Sequence, residues 1–199
     1  MKLLLGTANP AKLEDYKKFL IHPKLKLIKL KDINFIEEPL EIGETFEDNA
    51  LQKARFYAER TELPALADDG GFEVDALDGR PGVESNRWLG PNATDQDKID
   101  KILELMQGET NRKARLRFVT TVYFPAERDY LQTEGKIEGL IPEKANPNVR
   151  KGFLYRSILF LPQFNKYFID LDEKEHEQLN YRNQACKELL LKLEPYLNA

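Results

Sequence analysis

The chain has 199 residues, 41% of them apolar and 32% charged, a mixture that excludes collagen, disordered and disulfide-scaffold classes. Its 34 acidic side chains outnumber 30 basic ones, giving a formal charge of −4. That balance argues against unspecific nucleic-acid binding and leaves room for a small anion held in a local pocket. The length suits one domain, or two small lobes sharing a core, and allows burial of roughly two-thirds of the unfolded surface.

Cys186 is the single cysteine and cannot form an internal disulfide. The apolar run Leu3-Leu4-Leu5 is too short for a signal peptide, and no stretch approaches the ~18 apolar residues of a membrane span. Without a secretory leader, the glycosylation pattern Asn92-Ala93-Thr94 carries no weight. The expectation is a soluble cytoplasmic protein with no membrane partner.

In chain order, Lys2 to Leu5 reads as a buried strand and Ala11 to Leu20 as a helix with Leu13, Tyr16 and Leu20 on one face. Lys24 to Leu30 starts as a half-buried strand, Leu25 and Leu27 alternating with Lys24 and Lys26. The phase then shifts around Lys29, which predicts a bulge or a strand end there. Thr45 to Thr61 is a second helix, with Phe46, Ala50, Ala54 and Tyr57 in line. Ala65-Leu66-Ala67 and Phe72-Glu73-Val74 flank Asp68-Asp69-Gly70-Gly71, which reads as a hairpin turn. Ile99 to Met106 is helical with Thr94 as its cap. Ala114 to Phe124 and Leu131 to Ile141 alternate as long paired strands, and Pro142 to Lys151 is a loop. Ile158 to Leu161 and Tyr167 to Ile169 are short strands, and the charge run Asp172 to Glu177 suits a solvated helix face. Arg182 to Leu197 closes the chain as a helix, with Ala185, Leu189, Leu193 and Leu197 spaced by four. Strands mixed with helices, without a strict βαβ period, predict an α/β fold on a mixed sheet.

Three places could carry chemistry. Thr7-Ala8-Asn9-Pro10-Ala11-Lys12 joins a buried strand to a helix, whose N-terminal N–H groups and dipole favour an anion. Lys12 adds a positive charge there, although Asn9 and Pro10 equally suit a plain capped turn. Glu37, Glu38, Glu41, Glu44, Glu47 and Asp48, with Asp68 and Asp69 further on, supply the oxygens that Mg²⁺ shares with substrate phosphates. The same acidic residues could merely favour a helix start and a turn. Phe153, Tyr155, Arg156, His176, Tyr181 and Arg182 could stack on a base and donate to a keto oxygen, or could be core aromatics with surface charge. Only two histidines, His22 and His176, argue against a histidine-rich metal site.

Taken in order, these blocks resemble the inosine triphosphate pyrophosphatase family, which hydrolyses non-standard purine nucleoside triphosphates. The matching segments are Thr7 to Lys12, Glu41 to Ala50 with Lys53-Ala54, and Leu63 to Gly71. They continue with Val74 to Leu77, Pro81-Gly82-Val83, Ser85, Arg87, Gly152-Phe153, Tyr155 and Arg182. The resemblance runs nearly end to end. It implies one domain over residues 1–199, a mixed twisted sheet with flanking helices in two lobes around a central nucleotide cleft, and a homodimer. It implies Mg²⁺-dependent cleavage of a nucleoside triphosphate to monophosphate and pyrophosphate, a house-cleaning reaction. By position, Thr7, Asn9, Lys12 and Lys53 would hold the triphosphate. Glu41 and Asp69 would hold the metal, with Asp69 also the general base and Asp68 in support. The resemblance places Gly70, Phe153, Tyr155, Arg156, His176, Tyr181 and Arg182 on the base side.

That base side departs from the family pattern. Gly70 stands where the family has Ser after its two aspartates. Gly152-Phe153-Leu154-Tyr155-Arg156-Ser157 stands for Gly-Phe-Gly-Tyr-Asp-Pro, Asn180-Tyr181-Arg182 for Ser-His-Arg, and His176 for a lysine. Arg182 can still donate to a keto oxygen, but Arg156 cannot accept from a ring N–H as an aspartate would. The expectation is a shifted substrate choice or a looser pocket. Two alternatives stay open: a nucleotide-binding protein of the same fold with little or no turnover, and an enzyme for a pyrimidine or modified nucleotide.

Overall fold

The computed structural model describes residues 1–150 and 153–198. Gly152 of the aromatic block and Lys151 at the end of the expected loop lie outside the described residues. The elements in order are β1 (Lys2–Leu5), α1 (Pro10–Phe19), β2 (Lys26–Lys29), α2 (Phe46–Thr61), β3 (Ala65–Val74) and β4 (Pro81–Gly82). They continue with α3 (Asp95–Leu105), β5 (Lys113–Phe124), β6 (Asp129–Leu140), β7 (Phe160–Leu161), β8 (Lys166–Tyr167), α4 (Glu173–Gln178) and α5 (Tyr181–Asn198). The strands are hydrogen-bonded in the order β2-β1-β3-β5-β6-β7-β8, with β4 on β3. β1 pairs parallel with β2 and β3, while β3–β4, β6–β7 and β7–β8 are antiparallel, so the mixed sheet expected of the sequence is present.

The backbone groups into two compact units. The first comprises Met1–Asp69, Phe118–Gly135 and Tyr181–Ala199. In it, β1 is buried on both faces because alternate leucines serve different layers. Leu3 and Leu5 meet Tyr16 of α1, Leu20 at its C-terminal cap, and Ala185, Leu189, Leu193 and Leu197 of α5. Leu4 faces the other way, among Ala54, Tyr57 and Ala58 of α2 with Ala65 and Ala67 of β3. Each fully buried leucine contributes roughly 2 kcal/mol of transfer free energy, so this triple-leucine strand anchors both layers.

The second unit comprises Gly70–Arg117 and Lys136–Asn180. Its buried residues include Ile99, Ile102 and Met106 at α3, with Phe72, Leu159 and Phe168. Phe72 stacks on Tyr155 at 4.7 Å between ring centroids, and the Tyr155 hydroxyl donates to the Ser85 carbonyl at 2.7 Å.

Local signals placed most helix starts. Asn9 caps α1, Thr45 caps α2, and Thr94 caps α3 in a reciprocal box with Asp97. The cap moves the start of α3 four residues ahead of the apolar run at Ile99. The phase shift at Lys29 is a strand end, because a 3-10 turn begins at Leu30. The acidic run from Asp172 is a six-residue helix with no fully buried side chain, His176 being half-buried. Both late strands are shorter than expected, and a 3-10 turn takes over at Phe168.

A further expectation fails. Asp68-Asp69-Gly70-Gly71 is not a hairpin turn but the middle of the continuous strand β3. Beyond the glycines, Phe72 and Glu73 pair with Gly82 and Pro81 of β4, so the chain stays extended. A Cβ on Gly71 would stand 2.3 Å from the Ser85 hydroxyl and 2.6 Å from the Gly82 carbonyl oxygen, so glycine is required there by a close neighbour.

Candidate active site

The first unit holds a cavity of about 710 Å³ walled by Thr7, Lys12, Glu41, Lys53 and Asp68 among others. That is the size of a small-molecule pocket. Four stretches of chain line it: the β1–α1 turn, the end of β2 with the 3-10 turn after it, the loop before α2 with one face of that helix, and Asp68 of β3.

The β1–α1 turn is a capped helix start, as one of its two sequence readings had it. Asn9 Oδ1 accepts from the N–H groups of Ala11 and Lys12, and Thr7 Oγ1 accepts from the Asn9 N–H at 3.2 Å. Capping and anion binding are compatible, since the cap orients the turn from which Lys12 projects. The Lys12 ammonium pairs with Asp68 Oδ1.

Asp68 is wholly enclosed, its side chain only 1% exposed. Its second oxygen accepts from the Tyr16 hydroxyl at 2.5 Å. Burial pushes the Asp68 pKa up, but Lys12 and Tyr16 outweigh it and hold the carboxyl below its ordinary range. The Tyr16 phenol is driven well above its ordinary value by burial and by the Asp68 charge, so it remains a donor.

Lys53, on α2, reaches Glu41 Oε1 at 2.8 Å and Asp69 Oδ1 at 3.4 Å. Burial alone would lower the Lys53 pKa; Asp69, Glu41 and Asp68 overcome it and raise it. Asp69 also accepts from the Asn49 amide at 3.0 Å, while Asn49 Oδ1 accepts from the Gly43 N–H at 2.8 Å. Asn49 thus ties the loop carrying Glu41 to the carboxylate of Asp69. Sequence reading did not single out Asn49 or Tyr16. Asn49 lay inside a family block without a role, and Tyr16 sat at helical spacing among apolar neighbours.

Among the described residues no three His, Cys, Asp or Glu side chains form a metal cage. The pair Glu41 and Asp69 fits a different arrangement, in which one or two carboxylates share a hard cation with substrate phosphates. Both already converge on a positive group, the Lys53 ammonium.

Arg182 and Tyr181 belong to the same unit. Arg182 pairs with Asp15 at 2.8 Å, and its guanidinium lies 5.2 Å from the Phe118 ring centre. Its Nε is buried without a hydrogen-bond partner. Tyr181 meets Phe118 edge to face at 6.0 Å.

In the second unit, Arg156 and His176 line a separate cavity of about 560 Å³ together with Arg150. The Arg156 guanidinium lies over Phe153 at 4.3 Å and Phe168 at 4.8 Å, and Phe168 stands 5.0 Å from His176. Burial, then the Arg156 charge, lowers the His176 pKa. Tyr155 is engaged by Phe72 and Ser85, so both its ring and its hydroxyl hold this unit together. Gly70 follows Asp69 directly in β3.

Residues 3–192 match the Ham1 family. A dITP/XTP pyrophosphatase of Bacillus subtilis is 35% identical over 193 residues, 96% of each chain. One from Thermoanaerobacter is 34% identical over 197 residues, 99% of this chain and 96% of that one. Among solved structures, a HAM1 protein from Coxiella burnetii superposes with a TM-score of 0.87 at 32% identity, covering 97% of this chain and 98% of that one. The Staphylococcus aureus Ham1 protein gives 0.86 at 28% identity, covering 98% and 100%. Identity at this level along both chains, with the same fold, makes this chain a member of the Ham1 family.

Proposed function

We propose that this protein is a nucleoside triphosphate pyrophosphatase that splits non-standard purine nucleotides, inosine and xanthosine triphosphates among them, into monophosphate and pyrophosphate. The observation that carries the reading is the meeting of Lys53, Glu41 and Asp69 beside a cavity that Thr7 and Lys12 also line. Phosphoryl transfer needs positioning and charge neutralisation more than covalent help, and this set supplies both.

In this reading, Lys12, Lys53, Thr7 and the amide of Asn9 neutralise and orient the phosphate oxygens. Asp69 takes a proton from the attacking water, whose oxygen ends on the nucleoside monophosphate as the α–β anhydride bond breaks. Glu41 and Asp69 would hold Mg²⁺, which, when bound, neutralises phosphate charge and lowers the pKa of a bound water. Asn49 holds one oxygen of Asp69 while the other faces the Lys53 ammonium, so both orient the carboxylate. Gly70, Phe153, Arg156, His176, Tyr181 and Arg182 are assigned to the base on the family resemblance, with Tyr155 in a supporting place. A cytoplasmic homodimer that cleanses the nucleotide pool is the matching cellular proposal.

The test is pyrophosphate release from a panel of purified nucleoside triphosphates with Mg²⁺, beside Asp69→Asn and beside enzyme stripped with a chelator. Release that falls by at least about 10²-fold in Asp69→Asn, and that is lost on chelation and regained with Mg²⁺, is expected. Undiminished release from Asp69→Asn would remove its role as base.

A further inference from the structure

Tyr16 poses a problem that packing alone does not answer. It sits within α1, only 1% exposed, in a layer of leucines where a phenylalanine would fill the same space. A phenol hydroxyl is costly in such a place unless it finds a partner, and here the partner is a buried carboxylate. Tyr16 and Lys12 lie four residues apart on the helix, hence on one face of it. From that face both side chains reach the same group, Lys12 to Oδ1 of Asp68 and Tyr16 to Oδ2. Thr120 stands beside the same phenol oxygen.

We propose that Tyr16 is a positioning residue for substrate phosphate. By committing one oxygen of Asp68, it turns the other toward Lys12 and so fixes the ammonium at the cavity wall. This rests on the reading of the cavity as the triphosphate site. Lysine is a flexible point charge, and the freedom it would otherwise lose on meeting a phosphate is already restricted by Asp68. Asp68 can restrict it only while its own carboxylate is held from the far side. Without the phenol, the carboxylate is free to rotate, and the ammonium follows it.

The experiment is steady-state pyrophosphate release from inosine and xanthosine triphosphates by wild type, Tyr16→Phe, Lys12→Ala and the double variant. Tyr16→Phe is expected to raise KM about tenfold with kcat within about twofold of wild type, as for loss of a binding contact. A purely structural role would lower the fraction of active enzyme, and with it apparent kcat, at unchanged KM. Because the effect travels through Lys12, the double variant should be no worse than Lys12→Ala alone. Calorimetric titration with α,β-methylene inosine triphosphate, which cannot be split at that bond, guards against partial unfolding. It reads the number of competent sites separately from Kd, and Kd should weaken in parallel with KM.

An unchanged KM and Kd in Tyr16→Phe, or losses that multiply in the double variant, would overturn the proposal while leaving the proposed activity intact. Wild type that releases no pyrophosphate from either triphosphate would overturn the functional reading and this inference with it.

Discussion

Asn49 donates its amide to Asp69 at 3.0 Å from within helix α2, while the same side chain holds the Gly43 N–H of the preceding loop. Asn49 is only 1% exposed, so neither bond is easily replaced by water. Removing the amide with Asn49→Ala releases the carboxylate and the loop together, and kcat/KM for inosine triphosphate should fall about tenfold or more. Asn49→Asp should do worse. It keeps the acceptor for Gly43 but sets a second negative charge against Asp69. Steady-state kinetics of the two variants decide the matter; equal activity of Asn49→Asp and wild type would show that Asp69 needs no such partner.

Gly135 in β6 lies against the first turn of α5. A Cβ there would stand 1.9 Å from the Tyr181 carbonyl oxygen and 2.7 Å from its carbon, both backbone atoms that cannot swing aside. Gly135→Ala should therefore force strand and helix apart and cost about 3 kcal/mol. For a chain of this size that lowers Tm by roughly 6–12 °C, measurable by circular dichroism.

His176 gives the protein a stability that depends on pH. Burial first, and the Arg156 charge second, depress its pKa in the folded state below the ordinary value of about 6.5. Between the two values the unfolded chain binds the proton and the folded chain does not, so stability rises with pH through that window. This contribution is intact above about pH 6.5 and declines below it until the folded pKa is reached. Thermal melts at about pH 7.5 and 5.5 should show a smaller acid-induced drop in His176→Gln than in wild type.

Cys186 is fully buried in the layer between α5 and the sheet, and burial pushes its thiol up to about 12. Since the thiolate is the reactive form, a disulfide reagent at about pH 8 should leave the folded protein nearly untouched. The reaction should run to one thiol per chain once denaturant is added. Rapid modification under native conditions would mean that the α5 layer opens readily.

Much of this molecule could be read from local physics. The caps at Asn9, Thr45 and Thr94 precede helices because their side-chain oxygens satisfy N–H groups a few residues away. The spacing of Ala185, Leu189, Leu193 and Leu197 follows the buried face of α5 for the same short-range reason. Residue type and family blocks single out Thr7, Lys12, Glu41 and Lys53, and all four line one cavity.

Tertiary structure alone decided the rest. Asp68 to Gly71 looks like a turn by composition, yet runs on as strand that pairs with Gly82 and Pro81 of β4. Tyr155 looked like a stacking platform and is enclosed by Phe72 and Ser85. Tyr16 looked like a core residue, and its ring is one; its hydroxyl ends 52 positions away on Asp68. Sequence spacing reports which residues share a face of one element. It does not report what another segment brings across from that face, and the partners of Tyr16, Asn49 and Lys53 are all of that second kind.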